Sequence, residues 1–403
     1  MKLAFVVQRY GASIAGGSEA HCRELAQRLS AAHDITILTT CAADYVTWAN
    51  ALPPGESHDG RVRVVRFAVA RRRRLKTFAD ISDEVFDGGA SSEQQEAWFR
   101  ENGPDAPALL DFLQTEGDSF DLLLFWTFRY APSFFGLPLV GHRAVLVPTA
   151  EEDPAITLDI LEQFFRKPAG FLFLTPEEEA LVSARAGKRL EPSATIGIGL
   201  ERAAPGDKAL LVKEQIPDNY VLYLGRIDRN KGCGTLLDYF QEYAAVPGAA
   251  TLVLAGPAKM TVPRHPRIRS LGYVSDEMRR ALLTHARVLL VPSRYESLSI
   301  VLLEAWNHGV PALVNGACRV LKGQVERADG GLHYRSLAEF REALDYLLSH
   351  PAERDAFGRQ GLAYVEREYR WPIVLTRVED LLRRVHGTLG AGDGHGTGGG
   401  ATG

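Results

Sequence analysis

Four residues in the second half of the 403-residue chain have the types and spacing to handle a phosphorylated, hydroxyl-rich ligand. Arg226 and Lys231 stand in Gly225-Arg-Ile-Asp-Arg-Asn-Lys-Gly232, and Glu296 and Glu304 are separated by seven residues in the run that begins at Arg294. Cations placed where a strand hands over to a helix add to the helix's positive end, and flanking glycines permit close backbone approach, which suits a diphosphate. Ionised carboxylates only accept hydrogen bonds, which suits sugar hydroxyls. Each pair also has a plainer explanation, as solvated loop cations, an acid favoured by a helix N-terminus and an acid on a helix surface. Their conjunction describes a sugar nucleotide.

Apolar runs and chain breakers define the elements that must place these residues. Residues 219–224 and 288–292 predict buried strands, followed by the cationic loop and by the loop carrying Glu296. Ser297 and Ser299 offer N-caps to a helix over 300–308 that Gly309 and Pro311 terminate, so Glu304 lies one to two turns inside it. Ligands of open α/β sheets bind beyond the carboxyl ends of the strands, so both acids can face one ligand. Strands at 250–255, 267–273 and 312–314 and helices at 235–243, 337–349 and 351–369 complete this alternating half. The first half alternates likewise, with strands at 2–8, 34–40, 61–70, 120–126, 143–148 and 170–175, a helix opened by Ser18, helical pieces over 91–116 and a helix start at Pro176. Between the halves, 197–218 has the proline- and glycine-containing composition of an interdomain linker. The pattern predicts an α/β protein of two Rossmann-like domains with parallel sheets facing a central cleft. A last helix covers 372–386, and the glycine-rich 387–403 is expected to be a disordered tail.

With 46% hydrophobic and 24% charged residues the composition is globular, and a net charge of −4 argues against nucleic-acid binding. Cys22, Cys41, Cys233 and Cys318 have no C-x-x-C spacing, which argues against a zinc site or a disulfide framework and for a reducing compartment. The first residues read as a strand, not a signal peptide, and no run reaches the roughly 18 to 20 apolar residues of a membrane span. The expected location is cytoplasmic. Arg71-Arg-Arg-Arg74 reads as a solvated loop, with at most a peripheral membrane or anionic-acceptor contact.

Gly16-Gly17-Ser18-Glu19 lies at a strand-to-helix turn where backbone amides can meet a phosphate, although it is neither the dinucleotide fingerprint nor a Walker loop, and a tight turn also explains it. Thr127-Phe-Arg-Tyr130 ends a buried strand at the same sheet edge. Thr149-Ala-Glu-Glu-Asp-Pro154 places three acids after another strand, either as a site or as a helix start.

Through these motifs the chain resembles the retaining nucleotide-sugar glycosyltransferases of glycosyltransferase family 4, over about residues 1–386 and most densely over 220–331. The resemblance implies a GT-B fold, with an N-terminal acceptor domain over 1–204 joined by a crossing-back helix over 372–386, and a C-terminal nucleotide-sugar domain over 205–371. It implies that Arg226 and Lys231 hold the donor diphosphate, Glu296 lies beside the transferred sugar and Glu304 binds the ribose. Backbone amides of Ser297, Leu298, Ser299 and Ile300 help hold sugar and phosphates, and Gly16, Gly17 and Gly225 join the donor-binding positions. The reaction implied is retaining and needs neither metal nor cofactor, because preorganised cations stabilise the departing diphosphate. Relatives commonly read V-P-T-A-H-D-E-P where this chain reads Val147-Pro-Thr-Ala-Glu-Glu-Asp-Pro154, so Glu151 stands for the usual active-site histidine and is expected to accept from a sugar or acceptor hydroxyl. The expected activity moves a sugar from a nucleoside-diphosphate donor, UDP-sugar first and GDP-sugar second, to a hydroxyl of a sugar, lipid-linked glycan or small metabolite. A sugar-nucleotide 2-epimerase and a catalytically silent nucleotide-sugar-binding subunit are the alternatives.

Overall fold

Strands without a polar face are the backbone of both halves, as parallel strands covered by helices on each side require. The computed structural model describes residues 1–14, 16–245 and 248–392, except for the side chains of 390–392. The chain divides into two units, Met1–Gly197 with Leu375–Gly403, and Ile198–Val374.

The first unit contains β1 (Lys2–Val6), β2 (Asp34–Thr40), β3 (Gly55–Asp59), β4 (Val62–Phe67), β5 (Leu122–Trp126), β6 (Ala144–Val147), β7 (Gly170–Phe173) and β8 (Ser193–Thr195) in the order β3-β4-β2-β1-β5-β6-β7-β8. All neighbours are parallel except β3 and β4, which form an antiparallel hairpin at one edge. That hairpin departs from the all-parallel expectation. Gly55-Glu-Ser-His-Asp59 is polar and mostly exposed, so it gives no apolar signal, and pairing with β4 alone makes it a strand. The sheet order reverses between β1 and β5, placing the loops after those two strands side by side.

The second unit contains β9 (Tyr220–Leu224), β10 (Thr251–Ala255), β11 (Ile268–Gly272), β12 (Val288–Val291), β13 (Ala312–Asn315) and β14 (Gly331–Tyr334), all parallel in the order β11-β10-β9-β12-β13-β14. Its core packs Val221, Leu252, Leu290 and Leu313 from the strands against Leu236, Phe240, Phe340 and Leu344 from the helices Cys233–Ala244 and Leu337–Ser349. Here the order reverses between β9 and β12, where Val221 pairs with Val288 and Leu222 with Leu289. This register puts the cationic loop and the Glu296 loop next to each other at the carboxyl edge.

Three other segments differ from expectation. The stretch read as a linker is built into the second unit: Leu200 N donates to Tyr369 O at 2.7 Å, Gly206 N to Thr284 Oγ1 at 2.9 Å, and Lys208–Lys213 is a helix capped by Asp207. The last helix runs Trp371–Gly392, so 387–392 is helical and not tail, while 393–403 lies outside the described residues. Each glycine costs a helix only about 1 kcal/mol, and a helix already anchored by buried Val378, Leu381, Leu382 and Val385 propagates past that. The basic run is a solvated loop only in part: Arg72 and Arg74 are exposed, but three of its arginines are held by the protein. Arg71 and Arg74 pair with Glu101, whose side chain is buried, at 2.6 and 3.0 Å. Arg73 donates to Asn102 and Tyr45 and lies over the Trp48 and Phe78 rings. Among the described residues no helix is long and apolar enough to cross a membrane.

Candidate functional site

Gly232 brings the two loops of the second unit into contact. Its φ is +75°, and a Cβ there would lie 2.1 Å from Pro292 O, so any side chain would force the loop after β9 away from the end of β12. The loop is organised by Asp228, which accepts Lys231 N at 2.8 Å through Oδ1 and pairs with the Arg226 guanidinium through Oδ2. Tyr223 OH fixes Arg226 O at 2.6 Å. Across the switch point, Lys231 Nζ donates to Glu296 Oε1 at 2.8 Å. Arg226 and Lys231 keep about a third of their side chains exposed, so both charges remain reachable.

The helix Ile300–Asn307 starts just past Glu296, and its N-cap departs from expectation. Ser299 occupies the N-cap position but its side chain does not cap. Its Oγ is buried without a hydrogen bond, while its N donates to Gln324 Oε1 at 3.2 Å and Gln324 Nε2 is also buried and unpaired. Orphaned polar groups cost about 1 to 3 kcal/mol each, so this helix start carries two buried polar groups whose cost the packing around them must offset. On the far side of this helix fully buried Trp306 donates to Gly330 O at 2.8 Å, locking the helix rotation. That rotation turns Glu304 toward Arg279 of the Asp276–His285 helix, which grips it with both terminal nitrogens, Nη1 to Oε1 at 2.7 Å and Nη2 to Oε2. Burial pushes the Glu304 carboxyl up and Arg279 opposes this.

In the first unit, Gly16 and Gly17 open the helix Gly17–Leu29, where Glu19 pairs with Arg9 and both side chains are buried. A carboxylate of the chain's own therefore sits in the first turn, so the amides here do not form a purely cationic cradle. His21 on the same helix receives Trp126 Nε1–H on Nδ1 at 3.4 Å, its Nε2 is buried without a partner, and burial lowers its pKa to about 4. Beyond β5 and β6, Thr127 and Thr149 adopt positive φ of 56° and 47°, strained values for β-branched residues. These turns present Arg129, ion-paired with Asp153, and Glu151, whose charge reinforces Arg129. Buried Glu178 holds the second turn by accepting Ala150 N and Leu174 N, each at 2.6 Å, and burial pushes its carboxyl up to about 8 against those donors.

Gly225, Arg226, Lys231, Glu296, Ser297, Leu298, Ser299, Ile300 and Glu304 thus gather at one sheet edge of the second unit, while Gly16, Gly17 and Glu151 belong to strand-end loops of the first. Asp228, Arg279 and Gln324 are site residues that the motifs did not indicate. Asp228 could have been suspected from its place between the two cations, whereas Arg279 and Gln324 look like ordinary polar helix positions. Among the described residues no three His, Cys, Asp or Glu side chains gather as a metal site.

Residues 218–350 match the family described as glycosyl transferases group 1. The alpha-maltose-1-phosphate synthase of Mycobacterium tuberculosis is 26% identical over 183 residues, 41% of this chain and 47% of that protein. The 2-deoxystreptamine N-acetyl-D-glucosaminyltransferase of Niallia circulans is 28% identical over 112 residues, 26% of this chain and 29% of that protein. The chain thus spans about half the length of the first of these relatives, or less. An alpha,alpha-trehalose 6-phosphate synthase from Burkholderia multivorans superposes with a TM-score of 0.71 at 16% identity, covering 98% of this chain and 99% of that one. Anabaena HepE, solved in complex with UDP and glucose, gives 0.66 at 15% identity over 97% and 100%. The fold is GT-B, and the matched group 1 region encloses the whole β9–β12 site.

Proposed function

We propose that the chain is a retaining, metal-independent glycosyltransferase that moves a sugar from a nucleoside-diphosphate donor, UDP-sugar first and GDP-sugar second, to a hydroxyl acceptor. The observation that carries this reading is the meeting of Lys231 and Glu296 beside an uncapped helix N-terminus. Arg226, Lys231 and the amides at 297–300 take the diphosphate, and their positive field stabilises the charge that develops as the anomeric C–O bond breaks. Glu296 takes hydroxyls of the transferred sugar and Glu304 the ribose. UDP stands first because a solved neighbour of the same fold carries UDP and glucose. Glu151, on the strained turn braced by Glu178, accepts from an acceptor or sugar hydroxyl.

The test is a thermal-shift screen of the full chain against UDP-glucose, GDP-mannose and other nucleotide sugars. A ligand at a hundred times its Kd adds about 2.7 kcal/mol to stability, enough to raise Tm by several degrees. The sugar nucleotide that does so should then release its nucleoside diphosphate when sugars are added as acceptors. No shift with any nucleotide sugar sinks the proposal.

A further inference from the structure

Arg279 lies four residues into its helix, outside every motif that pointed to the site, yet it makes a two-point side-chain clamp on Glu304. A fork-to-fork contact fixes the plane of a carboxylate, which a single ammonium does not. It leaves a lone pair on each oxygen for a second donor. The side chains of Arg279 and Glu304 are 37% and 18% exposed, so the pair is open on one side. The neighbours do not substitute for Arg279. Asp276, at the start of the same helix, works against ionisation of Glu304, and His308, near Arg279 and Arg280, is held by Thr284 Oγ1 at 3.1 Å and kept neutral mainly by burial.

We propose that Arg279 is a positioning residue that holds Glu304 as a fixed acceptor for the ribose diol, so that the site selects ribonucleoside over 2′-deoxyribonucleoside diphosphates. This rests on the reading of the β9–β12 edge as the donor site. A site built to bond a hydroxyl rejects the analogue that lacks it, because its own polar group is left unpaired.

The test is calorimetric titration of the full chain with UDP and with 2′-deoxy-UDP in one buffer. The wild type should prefer UDP by about tenfold or more. In R279M, UDP affinity should fall to near that of 2′-deoxy-UDP, while 2′-deoxy-UDP affinity moves by less than about threefold, so the ratio collapses toward one. R279K, which keeps the charge but loses the fork and serves if R279M does not fold, should give an intermediate ratio. Equal binding of the two nucleotides by the wild type, or an undiminished ratio in the folded variants, overturns the inference while leaving the donor site standing. Failure of the wild type to bind UDP removes the donor-site reading, and the inference with it.

Discussion

Lys231 Nζ and Glu296 Oε1 meet at 2.8 Å although 65 positions separate them in the chain. The contact exists because β9 and β12 are neighbours and Gly232 lets their following loops touch. On the proposed reading, an anionic diphosphate would compete with Glu296 for the Lys231 ammonium, and sharing or handing over that cation would leave Glu296 to the sugar.

E296Q therefore should bind UDP as tightly as the wild type or a few-fold more tightly, while sugar transfer falls by about 100-fold or more. Calorimetry with UDP and turnover with the nucleotide sugar separate the two effects. Loss of UDP binding in E296Q would mean that the pair builds the loop and is not exchanged.

Gly232→Ala should destabilise the second unit by about 2 to 4 kcal/mol, from the left-handed backbone and the collision with Pro292 O. Urea unfolding followed by tryptophan fluorescence measures it. Gly234→Ala is the control, because a Cβ there meets nothing within 4 Å.

His21 gives a pH dependence with a definite sign. Its folded pKa of about 4 lies below the usual 6.5, so between those values the unfolded chain binds a proton that the folded chain refuses. Stability from this group is complete above pH 6.5 and is lost as pH falls toward 4, by an amount on the order of 3 kcal/mol. H21Q keeps an acceptor for Trp126 and should flatten that acid limb. Buried Glu178 slopes the other way: its carboxyl is pushed up to about 8, so its contribution declines as pH rises from 4.5 to 8. Comparing H21Q with the wild type cancels it. Parallel acid limbs would show that His21 is protonated in the native state.

Glu151→Gln should lower transfer by about 10- to 100-fold with little change in UDP affinity, because the residue sits in the first unit and the proposed diphosphate-binding residues Arg226 and Lys231 in the second. Glu151→His tests whether an imidazole restores or exceeds the original rate. Unchanged turnover in both variants would mean that position 151 takes no part in the chemistry.

Much of the architecture is legible in the sequence because buried parallel strands are short, apolar and bounded by glycine or proline, as Tyr220–Leu224 and Val288–Val291 are. The edge strand Gly55–Asp59 escapes that signal because its pairing is with backbone and its side chains face water. The positions of Arg226, Lys231, Glu296 and Glu304 at one sheet edge follow from strand-end placement alone. Which cation meets which acid does not, since it depends on β9 and β12 being adjacent. Nor do the free Ser299 hydroxyl, the Gln324 amide or the Arg279 clamp, each of which is set by how one helix packs on another. Arg71 to Arg74 illustrates the same limit, because a basic run looks solvated until Glu101 and Asn102 are seen beside it.

On the proposed reading, the β9–β12 edge holds a nucleoside diphosphate through Arg226 and Lys231. Titration of UDP into the wild type and into the R226A/K231A double variant, each shown to be folded by circular dichroism, tests it most directly. The expected result is saturable binding by the wild type and a loss of about 100-fold or more in the variant, from two charge-assisted contacts at about 1.5 to 3 kcal/mol each. Equal affinity in the two proteins would contradict it.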